Sequence, residues 1–205
     1  MKVKICGVTS IADALMCVEA GADLIGLNFY RQGKRYISPE VARKIAAALR
    51  SLPEPPILVG VFVNEPVAEM QAILDQCGLD LAQMSGDEPK EILEAMGERG
   101  FKATRHYQLP ITNNRLLLFD AHAAGQYGGT GQMADWEVAA TIAKQCRLLL
   151  AGGLTPENVA EAIRRVQPWG VDVASGVESA PGAKDKAKVA AFIKAAKQHD
   201  PISNL

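Results

Sequence analysis

Short β-type runs alternate with longer helical patterns along the whole chain, and that alternation leaves few folds open. The β-type runs are Val3–Cys6, Leu24–Phe29, Ile57–Val63, Leu79–Met84, Phe101–Thr104, Leu116–Asp120, Leu148–Ala151 and Val171–Ala174. Between them, Ala12, Ala14, Leu15 and Val18 mark a first helix, with Thr9 or Ser10 as cap and Gly21 as terminator. Further helical patterns cover Pro39–Arg50, Pro66–Cys77, Pro89–Arg99, Asp135–Gln145, Thr155–Val166 and Asp185–Gln198. Asp135 and Thr155 are cap residues, and Pro39 and Pro156 suit a first helical turn. The stretch Gln108–Asn114 is interrupted by Pro110 and shows no helical period, so the helix between the fifth and sixth strands is expected to be reduced or missing.

Strands that alternate with helices pair in parallel, and Ile57–Val63 is almost wholly apolar, as a strand covered on both faces must be. Eight such units close into a (β/α)8 barrel of the TIM type. An open doubly wound sheet is the lesser reading: no GxGxxG follows the first strand. The 205 residues, 48% of them hydrophobic, suffice for one core, and no linker or composition shift divides them. A single barrel domain over residues 1–205 is expected.

A net charge of −1 argues against a broad nucleic-acid footprint. The apolar stretch of the first ten residues is too short for a signal peptide, and no apolar run is long enough to span a bilayer. Cys6, Cys17, Cys77 and Cys146 show neither CxxC pairing nor histidines at ligand spacing, so a reducing, cytoplasmic setting without a structural metal fits them.

In such barrels the chemistry sits at the C-terminal ends of the strands. Cys6 ends the first strand, Gln83 to Ser85 the fourth and Asp120 the sixth. Gly152-Gly153 follow the seventh strand and Ser175-Gly176 the eighth. These last two turns point to a phosphate, because glycine lets a backbone approach an anion closely, and many barrels build their phosphate site there. A small phosphorylated molecule is therefore the expected partner. Cys6 could be a buried apolar thiol, but its place at a strand end before Gly7 suits a base or nucleophile. Asp120 would stand in the barrel mouth. Arg35 is either a surface charge or a fork for a carboxylate, and Asp172, within a strand, either an inward ion pair or a substrate contact. Gly128 to Gly131 suggest a lid or contact loop beside Asp120. His106, His122 and His199 read as solvated side chains.

The chain resembles the phosphoribosylanthranilate isomerases closely. The resemblance rests on VKICGVTS at 3–10, GADLIGLNFY at 21–30, KRYISPE at 34–40 and VGVFVNEP at 59–66. It continues through LLLFDA at 116–121, YGGTG at 127–131, DW at 135–136, LAGGLTPENV at 150–159 and VDVASGVESAPGAKD at 171–185. It implies an Amadori rearrangement in tryptophan biosynthesis, without metal or cofactor, by a monomer or homodimer. In that scheme Asp120 is the general acid and Cys6 the general base. Arg35 takes the anthranilate carboxylate, Gln83 and Asp172 contact substrate, and Gly152, Gly153, Ser175 and Gly176 hold the phosphate. One departure is Ser85, where the family often has histidine, so one substrate contact differs. Other phosphosugar isomerases or epimerases, and a non-catalytic phosphate binder, are the alternatives.

Overall fold

The structure is a computed structural model and describes residues 1–104, 116–120 and 136–198. Eight strands form a closed, all-parallel barrel in sequence order: β1 (Lys2–Cys6), β2 (Leu24–Asn28), β3 (Ile57–Phe62), β4 (Leu81–Met84), β5 (Gly100–Thr104), β6 (Leu116–Phe119), β7 (Arg147–Leu150) and β8 (Gly170–Val173). The helices are α1 (Ile11–Glu19), α2 (Pro39–Arg50), α3 (Val67–Cys77), α4 (Lys90–Met96), α5 (Trp136–Ala143), α6 (Val159–Val166) and α7 (Lys186–Gln198). The expected loss of a helix after β5, the Gly128–Gly131 loop and all three histidines lie outside the described residues.

Local chemistry sets the helix starts. The Ser10 hydroxyl accepts from Asp13 N–H and begins α1, and the Ser38 hydroxyl accepts from Val41 N–H ahead of Pro39 in α2. The expected α6 differs: regular helix begins at Val159, not at Thr155. Thr155 to Asn158 first close a tight turn, with Asn158 Oδ1 accepting from Thr155 N–H (2.8 Å) and Asn158 Nδ2 donating to Gly153 O (2.9 Å). Two further elements had no sequence signal. A one-turn 3-10 helix, Ser175–Val177, leads into an antiparallel hairpin of β9 (Glu178–Ala180) and β10 (Ala183–Lys184).

Side chains two apart on a strand share a face. Leu24, Val59, Phe101, Leu118, Leu149 and Ala151 make one buried cluster inside the barrel. A larger cluster joins the opposite strand faces to the helices, where α6 buries Val159, Ala162, Ile163 and Val166 at helical spacing. Each fully buried aliphatic side chain contributes about 1.5–3 kcal/mol. Gln83 stands in register with Phe101 of the inner cluster and Asp120 lies two residues beyond its Leu118, so polar side chains begin at the upper level of that apolar cluster. Among the described residues no helix is long and apolar enough to cross a membrane.

Candidate active site

Cys6, Arg35, Gln83, Asp120, Gly152, Gly153, Asp172, Ser175 and Gly176 all line one cavity of about 730 Å³ at the C-terminal ends of the strands. The fold thus brings together these nine residues singled out from sequence.

Beneath Cys6 lies a charge pair. Lys4 and Asp172 are register partners on β1 and β8, and both point into the barrel. Lys4 is 0% exposed, and its Nζ donates to Asp172 Oδ1 at 2.8 Å. Lys4 shares a strand face with Cys6, and its Nζ and the Cys6 sulfur both lie against Gly26. Burial works against the charged ammonium, but Asp172 and Cys6 outweigh it, and the Lys4 pKa stands above its ordinary value. Burial pushes the Cys6 thiol up; Lys4 pulls it down by charge and hydrogen bond, Asp172 opposes that pull, and Lys184 adds to it. The balance keeps the thiol above its ordinary value. Asp172 is thus the inward ion pair that its position in a strand called for, and Lys4 at 2.8 Å offsets the charge it could lend to an acid elsewhere in the mouth.

Gly26, the register partner of Cys6, is what makes room for this arrangement. A Cβ there would stand 2.8 Å from Cys6 Sγ, 3.1 Å from Cys6 Cα and 3.2 Å from Lys4 Nζ. Gly26→Ala is expected to displace the sulfur and lower kcat by about tenfold to a hundredfold, since small displacements of reacting groups cost that much. Steady-state kinetics on the purified variant provide the check.

A second network was missed from sequence. Arg35 Nε and Nη2 donate to the two oxygens of Glu178 at 2.8 and 2.7 Å. Lys184 Nζ donates to Glu178 Oε1 (2.8 Å), to Cys6 O (2.7 Å) and to Ala174 O (3.2 Å). The Glu178 side chain is 5% exposed. Burial alone would raise its pKa, but the hydrogen bonds from Arg35 and Lys184 prevail and hold the carboxyl below the usual range. One edge of the Arg35 fork is thus spent on Glu178, and the Nη1 edge is the one left toward a ligand carboxylate. Two cations against one carboxylate leave this corner net positive.

The two glycine turns abut. A Cβ on Gly176 would stand 2.0 Å from Leu154 O, and Gly152 and Gly153 have φ of +92° and +67°, a region that favours glycine. Among the described residues the backbone N–H groups of Gly152, Gly153, Ser175 and Gly176 have no hydrogen-bond acceptor, which suits an anion. Asp120 directly follows β6, its N–H bonded to Thr104 O at 2.9 Å. No three His, Cys, Asp or Glu side chains among the described residues converge as a metal set.

A family model for N-(5'-phosphoribosyl)anthranilate isomerase matches residues 3–195. The chain belongs to the N-(5'-phosphoribosyl)anthranilate isomerase family. The family member of Geobacter metallireducens is 46% identical over 205 residues, spanning 96% of this chain and 99% of that one. The crystal structure of phosphoribosyl anthranilate isomerase from Thermotoga maritima superposes with a TM-score of 0.84 at 39% identity, covering 97% of this chain and 99% of that one. Another phosphoribosyl anthranilate isomerase, at 38% identity and TM-score 0.79, was solved in complex with reduced 1-(o-carboxyphenylamino)-1-deoxyribulose 5-phosphate; the alignment covers 97% of this chain and 99% of that one. The Salmonella typhimurium 3-hexulose-6-phosphate synthase, at 16% identity and TM-score 0.69, shares the barrel alone.

Proposed function

We propose that this cavity carries out the isomerisation of N-(5-phosphoribosyl)anthranilate to 1-(2-carboxyphenylamino)-1-deoxyribulose 5-phosphate, the Amadori step of tryptophan biosynthesis. Asp120 donates a proton to the ring oxygen as the C1–O bond breaks, and the nitrogen lone pair closes to a protonated Schiff base. Cys6, as thiolate, takes the proton from C2; those electrons form C1=C2, and the C=N pair returns to nitrogen. The resulting enolamine tautomerises to the ketone with no net gain or loss of protons. The turns at Gly152-Gly153 and Ser175-Gly176 hold the phosphate, and Arg35, braced by Glu178, receives the carboxylate. Gln83 and Asp172 contact substrate.

The observation that carries this reading is the pairing of Cys6 with a fully buried ammonium in a cavity that Asp120 also lines. A thiol must ionise to act as base, and Lys4 is the countercharge that an ionised sulfur needs. Near-neutral charge and four unpaired cysteines support a cytoplasmic enzyme with no nucleic-acid partner, and a relative described as dimeric, with monomers generated from it, supports a monomer or homodimer.

The test is consumption of phosphoribosylanthranilate, followed by the loss of its fluorescence, across a pH series. Because the Cys6 thiol lies above its ordinary value of about 8.5, the thiolate is a minority form at neutral pH. The base limb of kcat/KM is expected to rise as pH increases from about 7 to 9, and the limb should vanish in Cys6→Ala. No turnover by folded protein would favour a phosphate-ligand binder.

A further inference from the structure

The regular pairing of β1 with β8 ends at Ile5 and Val173. The next residue on the first strand is Cys6, and the next on the eighth is Ala174, which leads into the Ser175-Gly176 turn. Ala174 has already left strand geometry, with φ −121° and ψ −79°. A side chain takes over where the ladder stops. Lys184 Nζ donates to Cys6 O at 2.7 Å and to Ala174 O at 3.2 Å, and so bridges the seam one step beyond its last register pair. Its remaining proton goes to Glu178 Oε1 at 2.8 Å. An ammonium has three protons, and all three are used.

Each of these partners belongs to a different part of the cavity. Cys6 is the proposed base, Ala174 begins the phosphate turn, and Glu178 braces Arg35. Lys184 is itself held firmly. Its N–H donates to Asp13 Oδ2 at 3.1 Å, and Thr9 Oγ1 donates to Gly182 O at 2.6 Å, so the β9–β10 hairpin is tied to the start of α1. The Lys184 side chain is 0% exposed and beyond the reach of a ligand. Burying an ammonium is costly even when it is paired, and apolar side chains in place of a buried ion pair are often as stable. The fold alone does not call for a lysine at this position.

We infer that Lys184 is a positioning residue that sets the separation of Cys6 from the phosphate turn, and that it acts as a tether rather than as a charge. A substrate anchored by its phosphate must present C2 to the sulfur, and its covalent geometry fixes the span between the two. Small displacements of reacting groups are costly, so the two ends of the site have to be held at one spacing. The sheet does not hold them at this level, and Lys184 does. The effect on turnover rests on the acid–base reading above; the effect on phosphate binding does not.

The experiment compares wild type, Lys184→Met, Glu178→Gln, the double variant and Lys188→Met. The readouts are thermal unfolding, steady-state turnover of phosphoribosylanthranilate and calorimetric titration with inorganic phosphate. Turnover is taken at each variant's own pH optimum, because Lys184, after burial, Lys4 and Asp172, also bears on the Cys6 thiol. Lys184→Met is expected to lower kcat by about 10- to 100-fold and to weaken phosphate binding by about 2- to 10-fold. The double variant removes one charge of each sign, leaves the net charge of this corner as in wild type, and should keep both losses. Glu178→Gln leaves Nζ on Cys6 O and Ala174 O and should lower kcat much less. Lys188→Met, which removes a donor to the Glu178 carbonyl of the same hairpin, should match wild type.

Recovery of kcat and phosphate affinity in the double variant would make Lys184 a charge and overturns the inference. A lower Tm with kcat and phosphate affinity intact overturns it too, as does a loss in Lys188→Met equal to that in Lys184→Met. If Lys184→Met does not fold, the double variant set against Glu178→Gln makes the same comparison, and failure of both to fold assigns Lys184 to the fold alone. Absence of turnover in wild type overturns the isomerase reading and leaves the phosphate affinities to decide the tether.

Discussion

Cys6→Ala and Asp120→Asn are each expected to lower kcat by about 10²–10⁴-fold, with KM close to that of the parent enzyme. Alanine offers no lone pair to take the C2 proton. Asparagine keeps the shape of Asp120 but has no proton to give the ring oxygen. Neither side chain is fully buried, so folding should survive both changes, and circular dichroism with thermal unfolding would verify that. The substrate contacts proposed for Arg35 and the glycine turns are untouched, which is why KM should hold. The two variants also differ in a way that separates acid from base. Only Cys6→Ala should abolish the rise of activity between about pH 7 and 9, because that limb reports the thiol. Wild-type rates in both variants would mean that the acid–base assignment is wrong.

Lys4→Met is expected to destabilise the protein by about 3–5 kcal/mol, the usual cost of leaving one member of a buried pair alone. For a chain of this length that corresponds to a fall in Tm of roughly 6–20 °C. The reason is Asp172, whose side chain is only 10% exposed and would lose the ammonium at 2.8 Å. Activity should fall as well, since the thiol loses the neighbour that most strongly pulls its pKa down. A companion variant separates the two effects. Lys4→Met combined with Asp172→Leu removes both charges, and apolar replacement of a whole buried pair is often neutral or stabilising. Stability should then recover while turnover stays low. Recovery of both would show that Lys4 serves the fold alone.

Much of this barrel can be read from the sequence, for physical reasons. Its strands are buried on both faces, so they stand out as apolar runs, and the reactive groups follow those runs directly, as Asp120 follows Leu116 to Phe119. Residues two apart share a face, so Lys4 could be placed beneath Cys6 once β1 was recognised, and closure of eight strands sets β8 with Asp172 beside it. What the sequence conceals is contact between distant segments. Glu178 and Lys184 sit in a stretch with no β periodicity, and their importance comes only from meeting Arg35 and the Cys6 carbonyl across the fold. Gly26 reads as an ordinary small residue in a strand until the sulfur beside it is seen. Thr155 has the sequence of a helix cap, yet Asn158 draws the chain into a turn first, because its amide can bond Thr155 N–H and Gly153 O together.

The bond from Lys184 to the Cys6 carbonyl spans 178 positions of sequence, and the β1–β8 seam it covers joins the two extremes of the barrel. Contacts of such long range form late, because the loop that they close takes in most of the barrel. The cysteine thus leaves the ribosome before the other reactive groups of this cavity and is among the last to acquire its surroundings. Until residues 170–184 have been synthesised and docked, its sulfur has neither Asp172 below nor the clamp from β10 above. Catalytic competence in this chain coincides with topological completion, so the appearance of activity during refolding should report closure of the ring rather than collapse of its parts.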